Sequence, residues 1–144
     1  LVLGGTDQDV LDAVWQRKAA GIETFGNVSG TVTDSQGDNH TSNFSRPTST
    51  NIYLELDLTI DADYPANGDS LVEQATLDYG DSLEIGDDVI VFPSLIASYA
   101  YISGITDIVL RIGITSTPTT DDNIVINDVS LAVFDTSRIT IAHV

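Results

Sequence analysis

Five apolar residues spaced two apart, Ile52, Leu54, Leu56, Leu58 and Ile60, constrain the fold of this chain more than any other feature. They alternate with Tyr53, Glu55, Asp57, Thr59 and Asp61, so the segment predicts an extended strand with one face in a core and the other facing water or a partner. Ile108, Leu110, Ile112 and Ile114 repeat the pattern and predict a second long, half-buried strand.

Helical periodicity surrounds these strands. Thr6 is suited to cap a helix over 7–19, with Asp9 making a shortened capping box. Asp7, Asp9 and Asp12 lie toward the positive end of its dipole, and Arg17 and Lys18 toward the negative end. Val10 with Val14, and Leu11 with Trp15, form one apolar stripe, and Gly21 suits the residue beyond the helix end. Ser70 and Glu73 predict a capping box opening a helix over 70–83, with Leu71, Val72, Ala75, Tyr79 and Leu83 inward and Gly80 weakening its last turn. A third, short helix is expected over 93–101 on Leu95, Ile96, Tyr99 and Ala100. Ile85-Gly-Asp-Asp88 predicts a turn into a short buried strand over 89–92. Residues 116–123 read as a loop and 124–126 as a short strand; 131–134 and 138–141 read as a terminal hairpin around Asp135-Thr-Ser137.

Val28 and Val32, with the turn Asp34-Ser-Gln-Gly37, predict a hairpin over 28–45. His40, Ser42 and Phe44 alternate with Thr41, Asn43 and Ser45, so both faces are mostly polar. Such a hairpin is expected to project or to lie at an edge. Pro47-Thr-Ser-Thr50 reads as a linker. The order of elements predicts an α+β fold, a mainly antiparallel sheet with two or three helices on one face and a projecting β-hairpin. The division expected is 1–47, helix and polar hairpin, and 48–144, an α+β domain, unless the whole is one domain. With no methionine, and an opening Leu-Val-Leu-Gly, the chain is expected to be a fragment of a longer protein.

Charge excludes whole classes of partner. The chain holds 22 Asp and Glu against 5 Lys and Arg, a formal net charge of −17. Binding to phosphate backbones or anionic lipid needs clustered cations, so neither nucleic acid nor membrane is an expected partner. The simplest reading of the acidity is a solubilising surface; the sharper one is attraction to a basic partner within an assembly, or adaptation to salty surroundings. No cysteine is present, which excludes disulfides and thiolate metal sites.

The residues offer little chemistry. His40 and His143 are too few for an imidazole metal cage and read as solvated. Asp57, Asp61 and Asp63, with Asn67 and Asp69, lack the order of a calcium loop, so structural roles outweigh a metal. Asp87-Asp88 and Asp121-Asp122 suit turns and caps. No nucleophile elbow or phosphate-binding glycine loop occurs. No catalytic residue, cofactor or metal is expected. Trp15 reads as core, and Arg46, a cation in a chain with few, as half of a specific ion pair, internal or across subunits.

Several separated segments carry a family resemblance. Lys18-Ala-Ala-Gly-Ile-Glu-Thr-Phe-Gly-Asn27 and Phe44-Ser-Arg-Pro47 are the densest, and Asp61-Ala-Asp-Tyr-Pro65, Ile85-Gly-Asp-Asp-Val89 and Phe134-Asp-Thr-Ser-Arg-Ile139 follow in order. In these the chain resembles the C-terminal part of the baseplate J-like family, wedge proteins of contractile phage tails. The resemblance implies a non-enzymatic structural subunit of the virion tail baseplate, assembled in the bacterial cytoplasm. Its partners would be further copies of itself and other wedge and hub proteins around the tail hub, and it would help couple host contact to sheath contraction. Thr33, Asp34, Gln36, His40 and Arg46 are the expected inter-subunit contact. The rival reading is a receptor- or carbohydrate-binding tail module using Tyr53, Tyr64, Tyr99 and Tyr101, of which Tyr99 and Tyr101 lie in a stretch that reads as buried. A carboxylate-dependent tail hydrolase ranks third.

Overall fold

The computed structural model describes residues 1–144 and divides into two compact units, Leu1–Thr48 and Ser49–Val144. The fold is α+β.

In the first unit, helix α1 spans Asp7–Arg17 and is followed by strands β1, Val28–Thr33, and β2, Asn39–Phe44. Thr6 Oγ1 accepts the Asp9 N–H at 3.2 Å, which satisfies one of the free amides of the first turn. The helix stops two residues before the expected end, because Lys18 turns extended (φ −67°, ψ 145°). Gly21 does adopt a positive φ, +80°, but within a turn closed by the Ile22 N–H on the Ala19 carbonyl at 3.2 Å rather than as the helix cap.

Strands β1 and β2 pair antiparallel from Val28↔Phe44 to Thr33↔Asn39, and Gly37 takes φ +90° at the tip. One face of this hairpin is not left to solvent, contrary to the polar pattern. Helix α1 packs on it through Leu11, which is buried with Val32 and Phe44. The fit rests on two small residues paired across the ladder, Gly30 and Ser42. A Cβ on Gly30 would lie 2.3 Å from Leu11 Cδ1, and Ser42 Oγ donates to the Leu11 carbonyl at 3.4 Å. Val28, Val32 and Phe44 supply the apolar part of this face, and the small Gly30 and Ser42 leave the room that seats the helix.

In the second unit, strands β3 (Thr48–Asn51, whose first residue is the last of the first unit), β4 (Tyr53–Ile60), β5 (Ile105–Gly113), β6 (Ser130–Val133) and β7 (Ile139–His143) accompany helix α2, Gly68–Asp81. The sheet order is β5-β4-β7, and β3 pairs separately with β6. Strand β4 runs antiparallel to β5 and parallel to β7. Ile52, Leu54, Leu56 and Leu58 are all buried, with Ile60 packed at the edge of the same core, as the period-two pattern requires. Each such side chain contributes about 1.5–3 kcal/mol of burial.

Several expectations for this unit are corrected. Residues 48–51 are a strand, not a linker. The stretch 131–141 is not a hairpin: after the turn Thr136–Arg138 its second half leaves β6 and joins β4 instead. Residues 89–92 and 124–126 are reduced to the single bridge Val89↔Ile124, and Val91–Leu95 winds one wide turn in place of the start of a regular helix over 93–101. Tyr101 and Ile114, read as inward, are exposed.

Helix α2 starts two residues earlier than expected and lacks the Ser70 cap; Asn67 precedes it without a side-chain bond. Its buried line is Gly68, Val72, Thr76 and Gly80, so Leu71 is exposed. Both glycines admit aromatic rings. A Cβ on Gly68 would lie 2.2 Å from Tyr64 Cζ, and one on Gly80 would lie 2.5 Å from Phe134 Cδ2. Below this line Tyr99 is buried against Thr76, their hydroxyls 2.8 Å apart. Burial pushes the Tyr99 phenol up to about 12, partly opposed by the Thr76 bond.

Candidate protein-docking surface

Four of the five expected contact residues gather at the hairpin tip. Asp34 opens the turn, and its carboxylate accepts the Gln36 N–H at 2.8 Å, the Asp38 N–H at 3.0 Å and His40 Nε2 at 2.8 Å. The His40 bond, then the two amides, hold the Asp34 carboxyl below the usual carboxylate range. Thr33 Oγ1 donates to Asn39 Oδ1 at 2.9 Å across the last ladder pair. The Gln36 side chain is exposed and makes no such bond. His40 is not simply solvated: its ring stacks on Trp15, centroids 4.4 Å apart and planes at 18°.

Arg46 lies elsewhere and is spent within its own unit. Its Nε and Nη2 donate to Asp7 Oδ1 at 3.2 and 2.9 Å. Its remaining donors reach the carbonyls of Val2, Gly4 and Gly5. All the N–H groups of the guanidinium are engaged, so the internal alternative holds and Arg46 has no donor left for a neighbouring subunit. Its backbone closes a second clasp, in which Asn27 Oδ1 accepts the Arg46 N–H at 2.9 Å and Asn27 Nδ2 donates to the Arg46 carbonyl at 3.2 Å. Gly26 sits beside this clasp because a Cβ there would meet the Phe44 carbonyl oxygen at 1.9 Å.

The sequence did not point to the cleft beside the tip. It has a volume of about 600 Å³ and is lined by Trp15, Lys18, Ile22, Phe25, His40 and Asn43 among others. Trp15 is half-buried, packed on the small core from one side, with the Lys18 ammonium 4.2 Å from its ring centre. Phe25 is 83% exposed and Ile22 also stands out of the surface. Asn43 anchors the far wall, its backbone N–H on Thr24 Oγ1 at 2.7 Å and its side-chain Nδ2 on the Thr24 carbonyl at 2.8 Å. The signal available beforehand was Ile22 and Phe25 in a segment with no periodicity to bury them.

In the second unit several acids have structural partners. Arg111 spans Glu55 at 3.1 Å and Asp57 at 2.9 Å across β4 and β5, and those bonds raise its own pKa further. Asp61 accepts the Asp63 N–H at 2.8 Å. Asp69, in the first turn of α2, receives the Tyr64 hydroxyl and His143 Nε2, each at 2.8 Å. The Tyr64 bond, with His143 adding to it, lowers the Asp69 pKa. Burial, reinforced by Asp69, raises that of Tyr64. No three His, Asp or Glu side chains converge as a metal site. Asp88 accepts the Ile126 N–H at 2.8 Å and Asp87 the Glu84 N–H at 2.8 Å, both turn-fixing bonds. The tyrosines of the rival reading are dispersed in role: Tyr99 is core, Tyr64 is tied to Asp69, Tyr53 lies 6.0 Å from the Arg138 guanidinium, and Tyr101 is 94% exposed.

No helix is long and apolar enough to cross a membrane. No protein-family model matches the chain, and a search of curated proteins returns no match.

Proposed function

We propose that this protein is a structural subunit of a contractile tail baseplate, a wedge protein of the baseplate J-like kind, which acts by being held among copies and neighbours. It makes and breaks no bonds. The hairpin tip, Thr33, Asp34, Gln36 and His40, with the adjoining cleft, is the surface by which it docks. The supporting observation is that the two stretches most like that family, 18–27 and 44–47, meet in one clasp. Asn27 brackets the Arg46 backbone, Gly26 abuts Phe44, and Arg46 ties down the residues ahead of α1. Residues so interlocked fix the base of the hairpin and present its tip as a rigid projection, which suits a part that must register against a neighbour.

The test removes the tip. Replacing 33–39 with Asn-Gly, a two-residue turn that closes the ladder at Val32 and His40, should leave the isolated protein folded by circular dichroism and block its incorporation into tail particles. A folded replacement variant that still enters particles would sink the docking role. The wild-type protein failing to co-purify with tails of its own host would sink the tail reading itself.

A further inference from the structure

The second unit carries an unclosed sheet edge. Strand β5 pairs with β4 alone, and its far edge is engaged only where the Ile112 N–H meets the Thr120 carbonyl at 2.7 Å. In an antiparallel ladder the residues that point their amides outward alternate. Ile112 points outward, so Ile108 and Leu110 do too, and their N–H and C=O groups have no strand to pair with. A groove of about 350 Å³ adjoins this edge, lined by Ile105, Thr106, Asp107 and Ile108 and, opposite, by Phe92 and Ile96. Because four consecutive residues of β5 line it, it follows the backbone edge rather than running under one face of the strand. Phe92, 70% exposed, forms its outer lip.

We propose that the edge of β5 at 106–110 accepts an extended segment of a partner protein, with apolar residues alternating with basic ones. Hydrogen bonds to Ile108 and Leu110 would set its register, alternate apolar side chains would enter the groove toward Phe92, and the others would lie over the opposite face. That face presents Glu55, Asp57 and Asp107 against the single guanidinium of Arg111, which is already shared by Glu55 and Asp57. Asp107 is exposed and free for a lysine or arginine. A second copy of this chain is the poorer occupant. This acidic edge calls for free cations, and of the chain's five cations Arg46, Arg111, Arg138 and Lys18 are already engaged. The inference stands whether or not the protein belongs to a tail.

A peptide of about nine residues alternating valine and lysine, titrated into the ¹⁵N-labelled protein, tests this. The amides of Ile108 and Leu110 should shift and exchange with solvent at least about tenfold more slowly, and Asp107→Lys should weaken binding about tenfold, Asp107→Asn less. The matching valine–glutamate peptide should not bind. Shifts spread over other acidic surfaces without Ile108 and Leu110 would overturn the proposal, as would equal binding of the glutamate peptide. Protection of those amides by self-association of the protein alone would also overturn it, since the occupant would then be a second copy.

Discussion

Replacing Arg46 with alanine should destabilise the first unit while leaving the second unaffected. The guanidinium holds Asp7 and three backbone carbonyls ahead of α1, and also lies 4.9 Å from the Phe44 ring. The ion pair itself is worth little, because the Asp7 side chain is 60% exposed and solvent screens it; well under ~1 kcal/mol is expected. The donor is charged, but two of the three carbonyl bonds, those to Gly4 and Gly5, are exposed to competing water, so each should contribute only about 0.5–1 kcal/mol. The total is about 2 kcal/mol, and it falls on a unit whose buried apolar core is Leu11, Val32 and Phe44. A core that small leaves little margin. Trp15 is the only tryptophan and lies in this unit, so its fluorescence follows the first unit alone while far-ultraviolet circular dichroism follows both. The variant's Trp15 transition should come at markedly lower denaturant than the wild type's, with the later transition of the second unit unmoved. Lysine at position 46, a single point donor, should recover less than half of the loss. If alanine moves the Trp15 transition by less than about 0.5 kcal/mol, the clasp carries no stability and the interlocked-base argument fails.

Gly80→Ala should destabilise the second unit by about 1 kcal/mol or more by thermal melting, since overpacking against Phe134 outweighs the gain in helix propensity; a stabilised variant would show that the ring yields freely. Raising the pH from 10 to 12 should cost the second unit about 2 kcal/mol through Tyr99 alone, because an unfolded tyrosine ionises near 10 while buried Tyr99 keeps its proton to about 12, so the folded state binds more protons in that window; Tyr64 and Tyr79, raised by burial, add in the same direction. Tyr99→Phe should make that alkaline slope shallower by about one proton; an unchanged slope would exclude Tyr99 as its source. On the acid side Asp34, held below the ordinary carboxylate range by His40 and two amides, stabilises the tip above that range and loses this as pH falls through its lowered value. Asp34→Asn should remove that part of the acid sensitivity of Trp15 fluorescence, and an unaltered acid limb would refute the assignment.

The sequence alone determined whatever a single element records about itself. The alternation of Ile52, Leu54, Leu56 and Leu58 named a strand and its buried face, and Thr6 marked where α1 begins, because side-chain period and capping are local properties. Asp34 and Gly37 likewise located the hairpin tip. Tertiary structure decided which faces meet. The hairpin face that holds Ser42 read as mostly polar and, with Gly30, serves as the seat for Leu11, and Gly80 read as a weak helix position and admits Phe134. Residues 138–141 carried a strand pattern but no sign that their partner was β4 rather than β6. Even Arg46, whose scarcity marked it as a specific contact, could not disclose that its partners were carbonyls more than forty residues earlier. A close contact depends on the shape of two surfaces at once, and a linear pattern describes only one.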